Sequence, residues 1–580
     1  TVLAGAVTAW LVARETSVRP GAAWGAAAAA LCAGLMTTAW ANATETEVYA
    51  AALLHTVLML ASAARAMDEV PAHDDRWLLC TAYLIALAPA VHLSALVGAP
   101  AAIALAARER SGRWHIDRVL LLGGVLVSSA GVGRMSAVLV LLGVAIAAAS
   151  LAVRRSRGAG SARRVASLAS AVGLAGLAAT ALLIMLVRAR HDPPINQGNP
   201  VTLAALADVV ARRQYDVAGM LPRRAPVWLQ LANVAQYADW QIALDWGRGI
   251  FTTPARVVAT LAYAALAAAG VREMRRDSRR LADALLVLLV CGTLGVAAYL
   301  NLKAGASLGA GVIPDDAPHE ARERDYFFVL GFWAWGCFCG YGALAIARAR
   351  RWPPAVAIAA ALILLVGNGR TADRAHGPGA TAARTFARAL LESAPRNAAL
   401  FVSGDNDTYP LWYAQQVEGV RRDVVLITLP LLPADWYARE LAYRIRWRWD
   451  DDEPVPGATW RNEQRAALLA RAARGMGRPI AASPTLTARE RSLLGAGWVL
   501  RGPVYVSDSA EVGRTDRASV DTAAALLWMS GGPPRSANGP GLPDDVAAVM
   551  LDLLWCPSVA LMRPGPAASR DSLEVKCNLR

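Results

Sequence analysis

The stretch Asn42-Ala-Thr-Glu45-Thr-Glu47-Val-Tyr49 separates two apolar runs, 21–41 and 47–65. Its two carboxylates, two residues apart and without a Lys or Arg nearby, fall where one membrane span ends and the next begins. A carboxylate at membrane depth is costly, so it usually faces a cavity or a partner and marks a functional path. The alternative is a polar turn resting in headgroup water. The stretch by itself leaves both readings open, and working outward from it sets the fold.

The chain has 580 residues, 55% hydrophobic and 18% charged, with a formal charge of +14 carried mostly by Arg. That is too apolar for a soluble enzyme of this size and fits a polytopic membrane protein with soluble parts. A basic balance can signal nucleic acid, but these Arg residues sit at the ends of apolar runs. That pattern marks topology, so no nucleic-acid partner is expected. The seven Cys show no zinc or redox spacing, and five lie in or beside apolar segments. Cys556 and Cys577 lie in the polar C-terminal part, where they are free to pair if that part is extracytoplasmic. The chain starts without Met inside an apolar helix, which gives the expectation of an N-terminally incomplete fragment.

Apolar runs at 1–14, 21–41, 47–65, 76–107, 117–133, 135–153, 165–187, 252–270, 281–302, 326–347 and 353–368 are the candidate spans. The linkers around Arg14/Arg19, Arg108–Arg118, Arg154–Arg164, Arg272–Arg280 and Arg348–Arg351 are short and basic, and should all be cytoplasmic. They share one side only if the overlong run 76–107, with Pro89 and His92 near its middle, crosses twice or dips and returns near His92. The connections 42–47, 188–251, 303–325 and the tail then gather on the opposite face. This predicts a mainly α membrane domain over 1–369, and a soluble extracytoplasmic α/β domain over 370–580. Within the tail, 398–403 and 424–429 read as strands around a helix at 409–418, which implies a parallel pair. Thr487-Ala-Arg-Glu490 fits a capping box, and 504–506 a third strand.

Several residues could carry chemistry. Gly404-Asp405-Asn406-Asp407-Thr408 follows a strand and opens a helix, the usual ligand crevice of an α/β unit. Asp405 and Asp407 are oxygen ligands of the kind a divalent metal takes, or else they order the turn and cap the helix; no metal or other cofactor is assigned. Before span 326–347 comes Glu323-Arg324-Asp325-Tyr326, with His319 and Arg322 upstream. An interfacial Arg oriented by carboxylates suits a lipid-linked phosphate; an ion pair fixing the helix end explains it equally well. In 188–251, Arg212 and Arg213 hold phosphate or touch headgroups, and Trp228, Trp240 and Trp246 suit a segment lying in the membrane interface. His92 reads more simply as a hydrogen-bonded structural residue than as a ligand.

Taken together and in order, these stretches resemble a family of polytopic proteins of the GT-C glycosyltransferase fold. It has many bacterial members, and its eukaryotic relatives are the transmembrane O-mannosyltransferases that modify plexin-type receptors. The matching pieces are Ala43-Thr-Glu45-Thr-Glu47-Val-Tyr49, Val91-His92-Leu93, Pro194-Ile-Asn196-Gln-Gly-Asn199-Pro, Arg213-Gln-Tyr215, Glu323-Arg324-Asp325-Tyr326, Ser403-Gly-Asp405-Asn-Asp407-Thr-Tyr-Pro-Leu-Trp412-Tyr, Val417-Glu418-Gly and Asp435-Trp436-Tyr437.

The resemblance implies transfer of a sugar, mannose by the family's habit, from a polyprenyl-phosphate donor to a protein Ser/Thr or other acceptor at the extracytoplasmic face of a bacterial inner membrane. An acidic residue would act as general base and cations would steady the phosphate leaving group. The family's principal catalytic acid would precede Thr1, so the fragment is expected to be inactive as given. Among the residues present, Glu45 and Glu47 are expected as the catalytic carboxylates, acceptor-side or secondary acidic groups, and Arg324, oriented by Glu323 and Asp325 and joined by Arg213, at the donor phosphate. Asp405, Asn406, Asp407 and His92 are expected as acceptor-contacting or structural groups. A lipid-linked-precursor transporter or flippase, and a non-catalytic assembly protein, are the competing classes. Charge is nearly absent from the apolar runs after residue 76, which counts against transport.

Overall fold

The computed structural model describes residues 1–17, 19–45, 47–68, 75–155, 161–213, 219–246, 252–309, 318–320, 322–376, 378–444, 462–507, 516–530 and 544–555. These form two compact units, one of Thr1–Leu186 with Ala207–Ala372 and one of Val187–Leu206 with the residues from Asp373. The segment 188–251, read from sequence as one loop, is thus divided between them. Cys556 and Cys577, with Gln214 and Tyr215, lie outside the described residues.

The first unit is a helical bundle. Its helices are α1 (Val2–Thr16), α2 (Ala22–Leu35), α3 (Thr37–Thr44), α4 (Val48–Ala66), α5 (Arg76–Val91), α6 (Ala99–Ala107), α7 (Ile116–Gly133) and α8 (Ala137–Arg155). There follow α9 (Ser161–Thr180), α10 (Leu183–Ala189), α11 (Leu203–Val210), α12 (Val227–Asp239), α13 (Pro254–Asp277), α14 (Arg279–Val290), α15 (Val296–Leu300), α16 (Val329–Ala349) and α17 (Ala359–Ala372). Among the described residues, seven helices are long and apolar enough to cross a membrane, or eight if α2 and α3, bent by 67°, form one span. The helices at Arg76–Val91, Leu93–Ala107 and Ala137–Val153 are apolar but shorter.

The break expected in 76–107 is present: α5 ends at Val91, His92 is extended, and a 3-10 turn Leu93–Gly98 leads into α6. His92 caps that turn, accepting from the Ser94 backbone N–H at 3.3 Å. The run 281–302 is continuous through a π turn at Cys291–Gly295. Helix α16 is the axle of the bundle and almost wholly buried. Its glycines allow backbones to touch, as small residues do in membrane bundles: a Cβ on Gly340 would lie 2.2 Å from the Ala28 carbonyl, and one on Gly342 1.8 Å from that of Leu266.

At one end of this bundle the arginines of the short linkers find carboxylates. Arg280 bonds Glu15 at 2.9 and 3.1 Å and the Ala64 carbonyl at 2.9 Å. Arg19 and Arg348 both grip Glu273 and Asp277 at 2.7–2.9 Å. Arg14 pairs with Asp68, Arg108 and Arg275 with Asp283, and Arg118 bonds the Ala66 carbonyl. The ends of eight helices meet here, so these basic linkers share one end of the bundle, as charge alone predicted. The side chains of Arg154, Arg155, Arg163 and Arg164 lie outside the described residues.

The second unit is an α/β sandwich. Its strands are β1 (Ala399–Val402), β2 (Val425–Thr428), β3 (Ile480–Ala482), β4 (Trp498–Arg501) and β5 (Val504–Ser507), in the order β2-β1-β3-β5-β4. The pairs β1–β2 and β1–β3 are parallel; β5 is antiparallel to both neighbours. Alternate β1 residues feed opposite cores, Leu400 and Val402 on one face and Ala399 and Phe401 on the other, as a strand buried on both faces must. Helices α18 (Ala382–Ser393), α19 (Asp405–Gln416), α23 (Arg517–Ser530) and α24 (Asp544–Met550) belong to the first core. Helices α20 (Asp435–Arg444), α21 (Asn462–Gly475) and α22 (Ala488–Leu494) belong to the second. The Thr487–Glu490 capping box forms in full.

Candidate active site

The end of the first unit opposite the arginine network is built around Tyr49 and Tyr326. Tyr49, in the first turn of α4, is buried between the rings of His92 at 5.1 Å, Tyr326 at 5.0 Å and Phe327 at 5.7 Å. The break in 76–107 therefore brings His92 back to where α4 starts. Glu45 and Glu47, on the turn just ahead of Tyr49, are both exposed. The charges of Glu47, Arg212 and Arg322 all act on Tyr49, and that of Glu45 on Asp325. Arg322 also lies over the Tyr326 ring at 5.4 Å.

Arg324 is half-buried and partnered. It donates to the Tyr326 hydroxyl at 2.7 Å and faces Glu320 at 3.5 Å. Burial disfavours its charge, but Tyr326 and Glu320 more than offset this, so the guanidinium is held charged more firmly than a free one. Glu323 and Asp325, expected to orient Arg324, do other work. Glu323 accepts from the Tyr237 hydroxyl at 3.0 Å and the Ser307 N–H at 2.7 Å. Asp325 is buried and accepts from the Thr38 hydroxyl at 2.8 Å; Gln241 in turn donates to Thr38 at 2.8 Å. Glu323 precedes the 3-10 turn that Asp325 opens, with Arg324 as its N-cap, and the two carboxylates reach different helices. Tyr237 completes the link by accepting from the Arg324 backbone N–H at 3.1 Å. Burial, then the Glu323 carboxylate, push its phenol far up, so it remains a donor.

Arg213 is not part of this cluster. It is exposed and paired with Asp208 at 2.7 Å. Its neighbour Arg212, held in the left-handed region at φ 56°, is the one whose charge reaches His92 and Tyr49. Trp240, read as an interfacial residue, is buried against Tyr237 at 5.2 Å, whereas Trp228 and Trp246 are exposed. Thr38, Tyr237 and Gln241 escaped the sequence reading. Gln241 stands four residues after Tyr237, in the turn past the end of α12, where its amide donates to the Tyr237 carbonyl at 2.8 Å; that i, i+4 spacing at a helix end is the signal that could have found two of them.

In the second unit, α19 starts four residues earlier than expected, at Asp405, with Gly404 as N-cap and Pro410 inside the helix. Asp407 is buried; it accepts from the Ser403 backbone N–H at 3.3 Å and from the Thr485 hydroxyl. It therefore ties strand end to helix start and to the loop after β3, rather than capping in the usual way. Asp405 stands exposed in the first turn, and Asn406 follows it there. Among the described residues no group of three His, Cys, Asp or Glu is placed to hold a metal ion.

Two family models match the chain. Residues 3–115, which include Glu45, Glu47 and His92, match the N-terminal domain of the protein O-mannosyl-transferase TMEM260. Residues 383–467, which include Asp405 to Asp407, match TMEM260-associated domain 2. No curated protein and no solved structure matches the chain. Over a stretch in each of its two units, then, this membrane-spanning chain is similar to the O-mannosyl-transferase TMEM260.

Proposed function

We propose that this chain is a glycosyltransferase of GT-C type that moves a sugar, mannose, from a polyprenyl phosphate to a Ser/Thr hydroxyl on an extracytoplasmic protein. In this reading the arginine network faces the cytoplasm of a bacterial inner membrane, and the Tyr49–Tyr326 cluster and the α/β unit are extracytoplasmic. One observation carries the proposal: the charge of exposed Glu47 and the held guanidinium of Arg324 meet at the stacked pair Tyr49 and Tyr326, and the charge of exposed Glu45 reaches Asp325 beside them.

Chemically, a carboxylate takes the proton of the acceptor hydroxyl as its oxygen bonds to the sugar's anomeric carbon. The bond from that carbon to the phosphate oxygen breaks, and the polyprenyl phosphate leaves with the electron pair. Glu47 or Glu45 acts as a secondary acidic group on the acceptor hydroxyl, beside the principal acid the resemblance implies, and Arg324, with Arg212 or Arg322, steadies the departing phosphate. Glu320 and Tyr326 fix the Arg324 fork before the donor arrives, which lowers the cost of organising it during reaction.

The test is transfer from a polyprenyl-phosphate mannose to a Ser/Thr acceptor, in membranes of cells expressing the protein from its complete gene. Glu47→Gln and Arg324→Ala should each lower turnover by roughly 10²-fold. Unchanged turnover in both would remove the roles given to these residues. Absence of any transfer by the parent protein would remove the function.

A further inference from the structure

The second unit contains a cavity of about 340 Å³ that the transfer reaction does not use. Its walls are the loop at 194–197, the second half of α19, the turn into β2, and α20. Two indole rings, Trp412 and Trp436, border it together with Gln416, Arg422, Glu440 and Arg444. Both tryptophans are half-buried, and each is braced edge-on by a tyrosine, Tyr409 at 5.6 Å and Tyr437 at 5.4 Å. Among the described residues no acceptor meets the buried Trp436 N–H, an arrangement that is costly unless something supplies one.

The arginines do not make this a phosphate site. Arg444 is committed to Glu440 at 2.6 Å and to the Pro194 carbonyl at 2.7 Å. Arg422 is committed to the Gln415 and Gln416 carbonyls at 2.9 and 3.3 Å, and Arg478, also on the wall, to the Asn397 and Asp423 carbonyls at 2.9 and 3.4 Å. They stiffen the wall and balance its acids. What remains is a small, nearly neutral cavity with aromatic surface, amide groups and one unmet N–H. Its volume lies at the lower end of the range for small-molecule pockets, too small for a folded partner and short for an extended peptide.

We propose that this cavity binds a saccharide of one or two rings, at a site separate from the Tyr49–Tyr326 cluster. The C–H face of a pyranose is weakly positive and apolar, and stacks on the negative face of an indole. Its hydroxyls meet the Gln416 amide, the Glu440 carboxylate and, with a slight tilt of the ring, the Trp436 N–H. The inference stands whether or not the chain transfers sugar, since it rests on the second unit alone.

The experiment is saturation-transfer NMR on the full chain in detergent micelles. The panel is methyl α-mannoside, methyl α-glucoside, methyl α-galactoside, α-1,2-mannobiose and a sugar-free Ser/Thr peptide. At least one saccharide should bind. Trp412→Ala and Trp436→Ala should each weaken it tenfold or more, and Trp436→Phe, which keeps a ring and loses only the N–H, by a few-fold with an unchanged melting transition. Glu47→Gln and Arg324→Ala should leave this binding intact, which separates it from the transfer site. The proposal is overturned if no saccharide binds, or if binding survives the tryptophan changes. It is equally overturned if Arg324→Ala abolishes binding, or if the bare peptide is the ligand that depends on Trp436.

Discussion

The two ends of the helical bundle use the same charged residue types to opposite purpose. At the basic end arginine and carboxylate are matched and withdrawn from solvent: Arg280 and Glu15 are both nearly inaccessible, and Asp277 is shared between two arginines and Tyr341. At the other end the carboxylates Glu45 and Glu47 are exposed, Arg322 lies on a tyrosine face, and Arg324 keeps a quarter of its side chain open. A matched, desolvated pair contributes specificity of assembly and is silent chemically. Arg324 has the Glu320 carboxylate only at 3.5 Å and a quarter of its side chain open, so its charge stays available to a ligand. The contrast separates the scaffold from the candidate site more clearly than composition does.

The sharpest way to break the comparison is to unmatch the basic end. Arg280→Ala takes from buried Glu15 its forked partner and leaves Arg14 and Ser278 facing it, and should destabilise the protein by up to about 3–5 kcal/mol, the cost of removing one partner of a buried pair. Thermal unfolding in detergent reads this. Replacing Arg280 and Glu15 together with apolar residues should recover much of the loss; if the double variant is no better than the single, the bond of Glu15 to Arg14 outweighs the one to Arg280. A second break uses Asp325, which lies at the motif end but is buried like the basic-end acids. Thr38→Val removes its donor and should cost about 1.5–3 kcal/mol in the same melt, the range for a hydrogen bond to a charged group. A loss below about 0.5 kcal/mol would place Asp325 with the exposed acids instead.

Tyr326→Phe sharpens the contrast. It removes the hydroxyl that holds Arg324 while preserving the ring stack on Tyr49. Stability should fall by no more than about 1 kcal/mol. Transfer should lose roughly 10-fold in kcat/KM, mostly through KM if the guanidinium now finds the donor phosphate less readily. A stability loss as large as that of Arg280→Ala, with transfer unaffected, would return Arg324 to the scaffold.

Much of this division was legible in the sequence, and the remainder was hidden for identifiable reasons. Clusters of Arg at the ends of apolar runs predicted the shared basic end, and the overlong run 76–107 predicted the break at His92, because span length and loop charge are local quantities. The capping box was legible for the same reason. The partners of Glu323 and Asp325 were not: the Thr38–Asp325 bond joins residues 287 apart and the Tyr237–Glu323 bond residues 86 apart, separations that no local pattern spans. Strands β3 and β4, three and four residues long, are too short to show an alternating pattern. Trp240 looked like an interfacial anchor because Trp is common there, yet it fills the core behind Tyr237. Arg213 matches the sequence motif, yet it pairs with Asp208 in solvent while the Arg212 charge reaches His92 and Tyr49, and the left-handed backbone at Arg212 is not legible in an Arg-Arg pair.

The smallest effect extends the matched-pair logic to the second unit. Arg421 forks onto Asp423 at 2.9 Å through both Nε and Nη2, and Asp423 also accepts from the Asn397 N–H at 2.8 Å. The Arg421 hydrogen bond outweighs partial burial and holds this carboxyl down to about 2, against an ordinary 3.8. A carboxyl whose folded value is depressed contributes stability above its unfolded value, and loses it as pH falls through the folded one. Asp423→Asn should therefore cost most at neutral pH, and the difference from the parent should shrink between about pH 4 and pH 2. With a third of the Asp423 side chain exposed, solvent screening keeps the neutral-pH cost to about 0.2–1 kcal/mol. If the cost is the same at pH 3 as at pH 7, the contribution comes from the geometry of the turn and not from charge. The matched arginines of the basic end would then have to be re-examined for the same substitution of shape for electrostatics.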